Sequence, residues 1–161
     1  MIKDLQIIKE LESRVRKLVV KREFCFLNPL DCFNYKLNSN NEVIELELTF
    51  QEIKTRNLKL IGELTSLKKL DLSSNKITTI HSLNNLVNLE KLKLSYNKIT
   101  TTQGLEKLTN LQDLRLNNNK ITTIQGLDNL TKLECITLHN NNIPKKEIKK
   151  FRDNHPKIIV L

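Results

Sequence analysis

A 22-residue period dominates the chain. The segments LKKLDLSSNKITTIHSLNNLVN from residue 67, LEKLKLSYNKITTTQGLEKLTN from residue 89 and LQDLRLNNNKITTIQGLDNLTK from residue 111 align without gaps, and LECITLHNNNIP follows from residue 133. An earlier, imperfect copy starts at Val43 and regains the phase at Leu58 after a two-residue insertion. Such a period predicts stacked copies of one unit, because a single unit cannot bury its own apolar face.

Each copy contains a short stretch in which apolar and polar residues alternate, which predicts a strand with one buried face and one solvated face. In the second copy the expected core is Leu67, Leu70, Leu72, Ile77, Ile80, Leu83 and Leu86. One Asn per copy should lie inside the turn after the strand, where a side-chain amide can satisfy backbone groups. This structural ladder is Asn75, Asn97, Asn119 and Asn141. Gln51 holds the same place in the first copy and predicts a break there.

These copies resemble the leucine-rich repeat family in its 22-residue form, a group that includes a protein-phosphatase regulator and bacterial internalins. The resemblance covers residues 43–143. It implies an α/β fold, a right-handed leucine-rich repeat solenoid of five repeats with a parallel β-sheet on its concave side. It also implies a non-catalytic module that binds a protein partner on that sheet, without naming the partner.

Residues 1–42 are expected to form an N-terminal helix-hairpin cap, because the end of a solenoid would otherwise expose its core. Apolar residues recur at three- and four-residue steps over 4–21, which predicts a helix with Asp4 as its N-cap. An apolar loop follows, and the segments on either side of Ser39-Asn40 predict a hairpin. The alternative is that the helix is a separate partner-binding or coiled-coil arm.

Residues 144–161 are expected to form a C-terminal helix-strand cap. Pro144 marks the start of a helix with Ile148 and Phe151 inward, and residues 157–161 read as a final parallel strand. The cap is rich in basic side chains, which could bind nucleic acid or anionic lipid or could simply form a solvated helix face. These residues are Lys145, Lys146, Lys149, Lys150, Arg152 and Lys157.

The repeat phase predicts which side chains face outward from the sheet, with a basic centre flanked by acidic residues. Opposite charges on neighbouring strands could pair with one another instead of with a partner. Tyr96 with Arg115 is the strongest candidate for an interface hot spot, because Tyr and Arg often anchor interfaces, and Phe50 lies on the same rim. The expected partner-binding residues are Lys69, Asp71, Lys91, Lys93, Tyr96, Asp113, Arg115, Asn117, Thr137 and His139.

Catalysis, cofactors and metals are not expected. The three histidines occupy unrelated phases, and the three glycines leave little material for phosphate-binding loops. Cys135 and His139 lie four residues apart on one strand, about 13 Å, which is too far for a thiolate pair. Cys25 and Cys32 could be thiols of the cap core or a redox bridge.

Charged residues interrupt every apolar run, so neither a membrane span nor a secretory signal is predicted. We therefore expect a cytoplasmic monomer that binds protein, with nucleic acid an unfavoured partner in spite of the net charge of +9. Two alternatives stay open. One is a bacterial effector or surface-acting ligand of host proteins that leaves the cell without a cleavable signal, and the other is an architectural subunit that stacks end to end.

Overall fold

The computed structural model describes residues 3–19 and 33–161 of the 161-residue chain. In chain order its elements are helix α1 (Lys3–Val19), strands β1 (Phe33–Leu37) and β2 (Val43–Leu48), helix α2 (Leu58–Ile61), strands β3 (Lys69–Asp71), β4 (Lys91–Lys93), β5 (Asp113–Arg115) and β6 (Cys135–Thr137), helix α3 (Lys145–Asn154) and strand β7 (Ile159–Val160). The expectations for Cys25, Cys32 and the apolar loop around them lie outside the described residues.

The strands form one sheet in chain order, in which β1 is antiparallel to β2 and every later pair is parallel. Leu70, Leu92 and Leu114 stand beside one another at the 22-residue spacing, whereas Leu46 lies two residues further back from Leu70. The register therefore contains the predicted insertion in the first repeat. A parallel sheet of short strands with flanking helices confirms the predicted α/β solenoid.

The core consists of the inward leucines and isoleucines of successive coils, and every core residue predicted for the second repeat is buried. Leu92 and Leu114 illustrate the packing, since they belong to one continuous apolar cluster. The third repeat carries Thr102 at the phase that is Ile80 in the second. Its hydroxyl is buried and donates to the Gln125 carbonyl at 2.9 Å, so this polar substitution is accommodated without an unsatisfied group.

The ladder asparagines bind each coil from the second onward to the coil before it. The Asn97 amide donates to the carbonyls of Leu72 at 2.9 Å and Leu94 at 3.1 Å, and its Oδ1 accepts from the Ile77 N–H at 3.0 Å. Equivalent bonds are made by Asn75, Asn119 and Asn141. Backbone groups that leave the sheet at the end of each strand are thereby satisfied inside the protein.

Gln51 does not continue this ladder. Its side chain is only 3% exposed and donates to the Thr49 carbonyl at 3.1 Å, while its buried Oε1 has no hydrogen-bond donor among the described residues. Gln51 follows β2, and the strand that flanks β2 on the side away from β3 is β1. Because β1 is antiparallel to β2, it does not offer the carbonyl and N–H of a preceding coil. The ladder therefore begins at Asn75.

Helix α1 packs on the solenoid and is not a separate arm, because Ile8 and Leu11 belong to the common core. The expectation that Asp4 is the N-cap is wrong, because Lys3 is already helical. The Asp4 carboxylate instead accepts from the Val43 N–H at 3.0 Å, which ties the helix to the first residue of β2. Beyond β1, the hairpin loop is closed by Asn38, whose Oδ1 accepts from two backbone N–H groups of that loop.

The C-terminal helix and strand close the other end. In α3 the Phe151 ring is buried, and the Glu147 carboxylate accepts from the Thr123 hydroxyl at 3.0 Å and the Ile124 N–H at 2.9 Å. Strand β7 continues the parallel sheet beside β6, and the adjoining Leu161 carbonyl accepts from the Leu138 N–H at 2.7 Å. The predicted helix and parallel strand are both present.

Replacing a ladder residue should destabilise the whole repeat region. Asn97→Ala removes the partners of a buried N–H and a buried carbonyl, and each such group left unsatisfied costs about 1–3 kcal/mol. We expect the free energy of unfolding, measured by urea denaturation, to fall by about 2–4 kcal/mol. The exposed Asn85→Ala is the matched control and should change it by less than about 0.5 kcal/mol.

Candidate functional site

The solvated side of the sheet, hereafter the concave face, presents alternate residues of each strand because side chains point to opposite faces in turn. Strict register aligns these residues into columns that cross the strands. The first column is Glu45, Lys69, Lys91, Asp113 and Cys135. The second column is Glu47, Asp71, Lys93, Arg115 and Thr137. The hairpin strand β1 adds Lys36 beside Glu45 and Asn34 beside Glu47.

Most of the charges on this face pair with one another. Lys69 Nζ lies 2.9 Å from Glu45 Oε1, and Lys36 approaches the same carboxylate oxygen at 3.8 Å. The second column contributes a pair between Lys93 and Asp71 at 3.1 Å. Opposite charges on these neighbouring strands therefore pair with one another, which is the alternative that the sequence analysis left open.

Arg115 pairs within its own strand, at 3.3 Å from the Asp113 carboxylate. Its hydrogen bond to Asp113, reinforced by the charge of that carboxylate, raises the pKa of the guanidinium above its ordinary value. Arg115 is therefore cationic at neutral pH. Its charge is already matched inside the protein, which weakens the case for Arg115 as a free anchor for a partner.

Lys91 and Glu47 remain without an ion pair among the described residues. Lys91 is exposed and stands between Lys69, which has the same charge, and Asp113, which is bound by Arg115. Glu47 is exposed beside Asp71, which is another carboxylate. The sequence analysis placed Lys91 on this face, and the same alternation places Glu47 there. Which carboxylate each cation reaches depends on side-chain geometry that a repeat phase does not specify.

Asn117 and Thr137 are not presented as the sequence predicts. Thr137 is only 9% exposed, and its hydroxyl donates to Asn117 Oδ1 at 2.9 Å. Ser95, on the other side of β5, donates to the same oxygen at 2.6 Å. The amide oxygen of Asn117 thus joins three neighbouring coils, and these side chains hold the sheet together more than they offer surface. His139, which follows Thr137 by two residues, is exposed.

Two aromatic side chains stand at the edge of the concave face where the strands end. Phe50 is 70% exposed and Tyr96 is 60% exposed. Each backbone N–H donates to the carbonyl of a residue in the following coil, Ser73 for Phe50 and Asn117 for Tyr96, so the positions of both residues are fixed by the stacking. The exposure of Tyr96 on this rim agrees with the sequence analysis, and its contact with a partner stays a prediction.

Other chemistry is limited in the part of the chain that the structure describes. No cluster of His, Cys, Asp and Glu side chains there could hold a metal ion. Within residues 3–19 and 33–161, none of the helices has the length and apolar character needed to cross a bilayer. Cys135 is a free, half-buried thiol in the first column.

The repeats also match a known family. The family described as Leucine Rich repeats (2 copies) matches residues 65–107 and 109–152, which is more than half of the chain. The chain therefore belongs to the leucine-rich repeat family, as the sequence predicts. Leucine-rich repeat domains are typically protein-interaction modules and are generally non-catalytic. The curated proteins contain no match to the chain.

Solved structures show the same architecture. A leucine-rich repeat protein of Leptospira interrogans is 32% identical with a TM-score of 0.56, over 64% of this chain and 33% of that one. An internalin of Listeria monocytogenes is 27% identical with a TM-score of 0.59, over 63% of this chain and 30% of that one. The chain thus spans about a third of the length of either protein. The ectodomain of the receptor kinase SOBIR1 from Arabidopsis thaliana (22% identity, TM-score 0.59, 98% and 90% coverage) shows similarity of fold alone.

The Glu45–Lys69 pair should make a small part of the stability pH-dependent. The hydrogen bond from Lys69 lowers the pKa of Glu45 below its ordinary value of 4.5. A lowered folded-state pKa contributes stability that is complete above the unfolded-state value and is lost as pH falls through the folded-state value. The free energy of unfolding of wild type should therefore exceed that of Glu45→Gln by less than about 1 kcal/mol at pH 7, because the pair is solvated, and this difference should shrink as the pH falls to 3.

Urea denaturation at the two pH values measures this difference. Glu47→Gln is the matched control, because Glu47 lies on the same strand and face without an ion pair among the described residues. A difference between wild type and Glu45→Gln that persists unchanged at pH 3 would show that the carboxylate charge is not its source.

Proposed function

We propose that the concave face binds a protein partner and that Lys91 and Glu47 supply its principal charged contacts. The observation that supports this most directly is a groove of about 490 Å³ on this face, lined by side chains from β1 to β5. Both unpaired residues border the groove. Family membership adds support, since leucine-rich repeat domains are typically protein-interaction modules.

The pairing pattern defines what a partner should carry. We expect the partner to place a carboxylate against Lys91 and a cationic side chain against Glu47. Each of these two charges lies beside a like charge on the sheet, so an opposite charge from the partner would be favourable. The two residues are two strands and two residues apart, which corresponds to about 12 Å. A helix or loop of a partner protein can present an acidic and a basic side chain at that separation.

The remaining expected contacts take a secondary role in this proposal. Solvated, partly exposed ion pairs such as Lys93–Asp71 contribute about 0–1 kcal/mol, so a partner can open and replace them at little cost. These ion pairs therefore contribute to the shape of the binding surface but do not determine which charges a partner must carry. The partner-binding set of this proposal thus keeps Lys69, Asp71, Lys93, Tyr96, Asp113, Arg115 and His139 around Lys91 and Glu47.

Two other functions stay as alternatives. We propose a cytoplasmic monomer, and the similarity to an internalin of Listeria monocytogenes is the observation that supports the alternative, a surface-acting or effector ligand of host proteins. Recovery of the native chain from culture medium would decide for that alternative. The exposed lysines of α3, such as Lys145 and Lys149, support an anionic-polymer binder. Binding to RNA or anionic vesicles that charge reversal in α3 abolishes would favour it.

Site-specific photo-crosslinking tests the proposed interface. A photoreactive amino acid at position 91 should give a defined adduct with one protein of the native lysate, because this position faces the bound partner. The matched control is position 107, since Lys107 is an exposed lysine outside the groove. Mass spectrometry of the adduct identifies the partner, and binding is then measured with that partner purified.

With the purified partner, Lys91→Glu and Glu47→Lys should each weaken binding about tenfold or more, because each places like charges against one another. Lys107→Glu should leave the affinity unchanged. Lys93→Glu should have a smaller effect, because Asp71 already matches the Lys93 charge. Equal adducts from positions 91 and 107, or an affinity that survives both reversals, would contradict binding on the concave face.

A further inference from the structure

The two-residue insertion of the first coil lies in a short turn between Ile53 and Leu58. Ile53 corresponds to Ile77 of the next coil, because each is buried and donates its N–H to the ladder asparagine of the coil that follows. Two residues separate Ile77 from the next buried apolar position, whereas four separate Ile53 from it. The extra residues therefore fall within 54–57, where the chain makes one turn of 3₁₀-helix (Thr55–Asn57).

Hydrogen bonds hold this inserted turn in one conformation. The Lys54 N–H donates to Oδ1 of the buried Asn57 at 3.0 Å. The Thr55 hydroxyl oxygen accepts from the N–H groups of Thr78 at 3.0 Å and Thr79 at 3.3 Å, both in the next coil. The turn is thus fixed to its own coil and to the coil that follows.

These bonds leave one hydroxyl hydrogen available. The two backbone N–H groups occupy both lone pairs of the Thr55 oxygen, so Thr55 is the donor in its 3.0 Å contact with the Thr78 hydroxyl. The Thr78 hydroxyl therefore keeps its own hydrogen for a further acceptor. Because the Thr78 side chain is exposed, that acceptor can be a ligand or water.

A groove of about 440 Å³ lies beside this hydroxyl. Its volume is within the range of small-ligand sites, about 300–1,000 Å³. It shares no residue with the groove on the concave face, so a ligand here leaves that face open. The lining comes from three successive coils and consists of Lys54, Thr55, Arg56, Lys76, Thr78 and Lys98.

The groove has an excess of positive charge. Lys76 Nζ lies 2.8 Å from the Glu52 carboxylate, which matches its charge. Lys54, Arg56 and Lys98 have no ion pair within residues 3–19 and 33–161. Lys54 and Lys76 stand beside each other in parallel register, with their backbones about 4.8 Å apart. Neighbouring like charges are unfavourable in the free protein, and an anion between them would remove this cost.

The chemistry of the lining indicates the class of anion. Every lining side chain can donate a hydrogen bond, and none belongs to an apolar or aromatic residue. Phosphate oxygens accept, whereas sugar hydroxyls and amides also bring hydrogens that need acceptors. The bases of a single-stranded nucleic acid would stack on aromatic rings, and an acyl chain would need apolar contacts. A ligand made of phosphate groups alone therefore matches this lining.

We propose that this groove binds a short chain of linked phosphate groups, an oligophosphate. Lys54, Arg56 and Lys98 supply the positive charge, and the Thr78 hydroxyl donates to a phosphate oxygen. Lys binds phosphate as a point charge and Arg through paired N–H donors. The site goes beyond the proposed function, because it lies off the concave face and needs no protein partner.

Isothermal titration calorimetry of the purified chain with inorganic tripolyphosphate, at about 0.15 M salt, tests the site. We expect one tripolyphosphate to bind per chain, and Lys54→Gln/Lys98→Gln to weaken binding about tenfold or more. The matched control is Lys145→Gln/Lys149→Gln in α3, which removes the same charge from exposed lysines outside the groove. Its affinity should stay within about twofold of wild type.

The Thr78 hydroxyl separates a defined site from a basic surface. Thr78→Val removes the donor but keeps the charge and nearly the same shape, so the affinity for tripolyphosphate should fall about threefold or more. Thr100→Val is the matched control, because Thr100 is an exposed threonine of the next coil that does not line the groove, and no loss is expected. Thermal unfolding of each variant should show a Tm within about 2 °C of wild type.

Other outcomes would overturn the proposal. Equal losses in the two lysine double variants would reduce the effect to net charge, and an unchanged affinity in Lys54→Gln/Lys98→Gln would place the ligand elsewhere. An RNA oligonucleotide or phosphatidylserine vesicles that bind more tightly than tripolyphosphate, and that this variant no longer binds, would assign the groove to that ligand instead. None of these results bears on the concave face, which the reversals at Lys91 and Glu47 test separately.

Discussion

The in-register stacking of coils is the constraint on which every other feature depends. From the second coil onward, one asparagine amide per coil bonds to the backbone of the coil before it, as Asn97 does with Leu72 and Ile77. Such bonds leave no freedom for one coil to slide against the next, because a shift would leave both the amide and the backbone unsatisfied. Fixed register then decides which side chains share a column on the concave face, and therefore which charges can meet.

The caps follow from the same need to satisfy backbone groups and cover apolar surface. Asp4 accepts from the first N–H of β2, and Glu147 accepts from an N–H and a hydroxyl of the last full coil. A carboxylate from a helix thus performs at each end what an asparagine does between coils. Both helices also bring apolar residues, such as Leu11 and Phe151, onto the ends of the core.

Sequence periodicity predicted the fold well because a repeat encodes packing at every copy. It located the core leucines, the insertion before β3 and the outward columns. It could not predict that Lys93 turns to Asp71 while Lys91 has no match, since all of these residues share the face and differ only in side-chain geometry. It also missed the burial of Thr137, because alternation distinguishes two faces and does not register a hydrogen bond to Asn117 across the strands.

The constant spacing of the coils restricts the distances between side chains of different coils to a set of discrete values. Distances along a column can take only multiples of about 4.8 Å, so two groups such as Phe50 and Tyr96 are separated by a whole number of steps. Gain or loss of one near-identical unit by recombination between repeated gene segments would keep every interior bond and alter such separations by one step. Recognition in a protein of this kind can therefore change in jumps, because a whole coil is the smallest unit that can be gained or lost with the register intact.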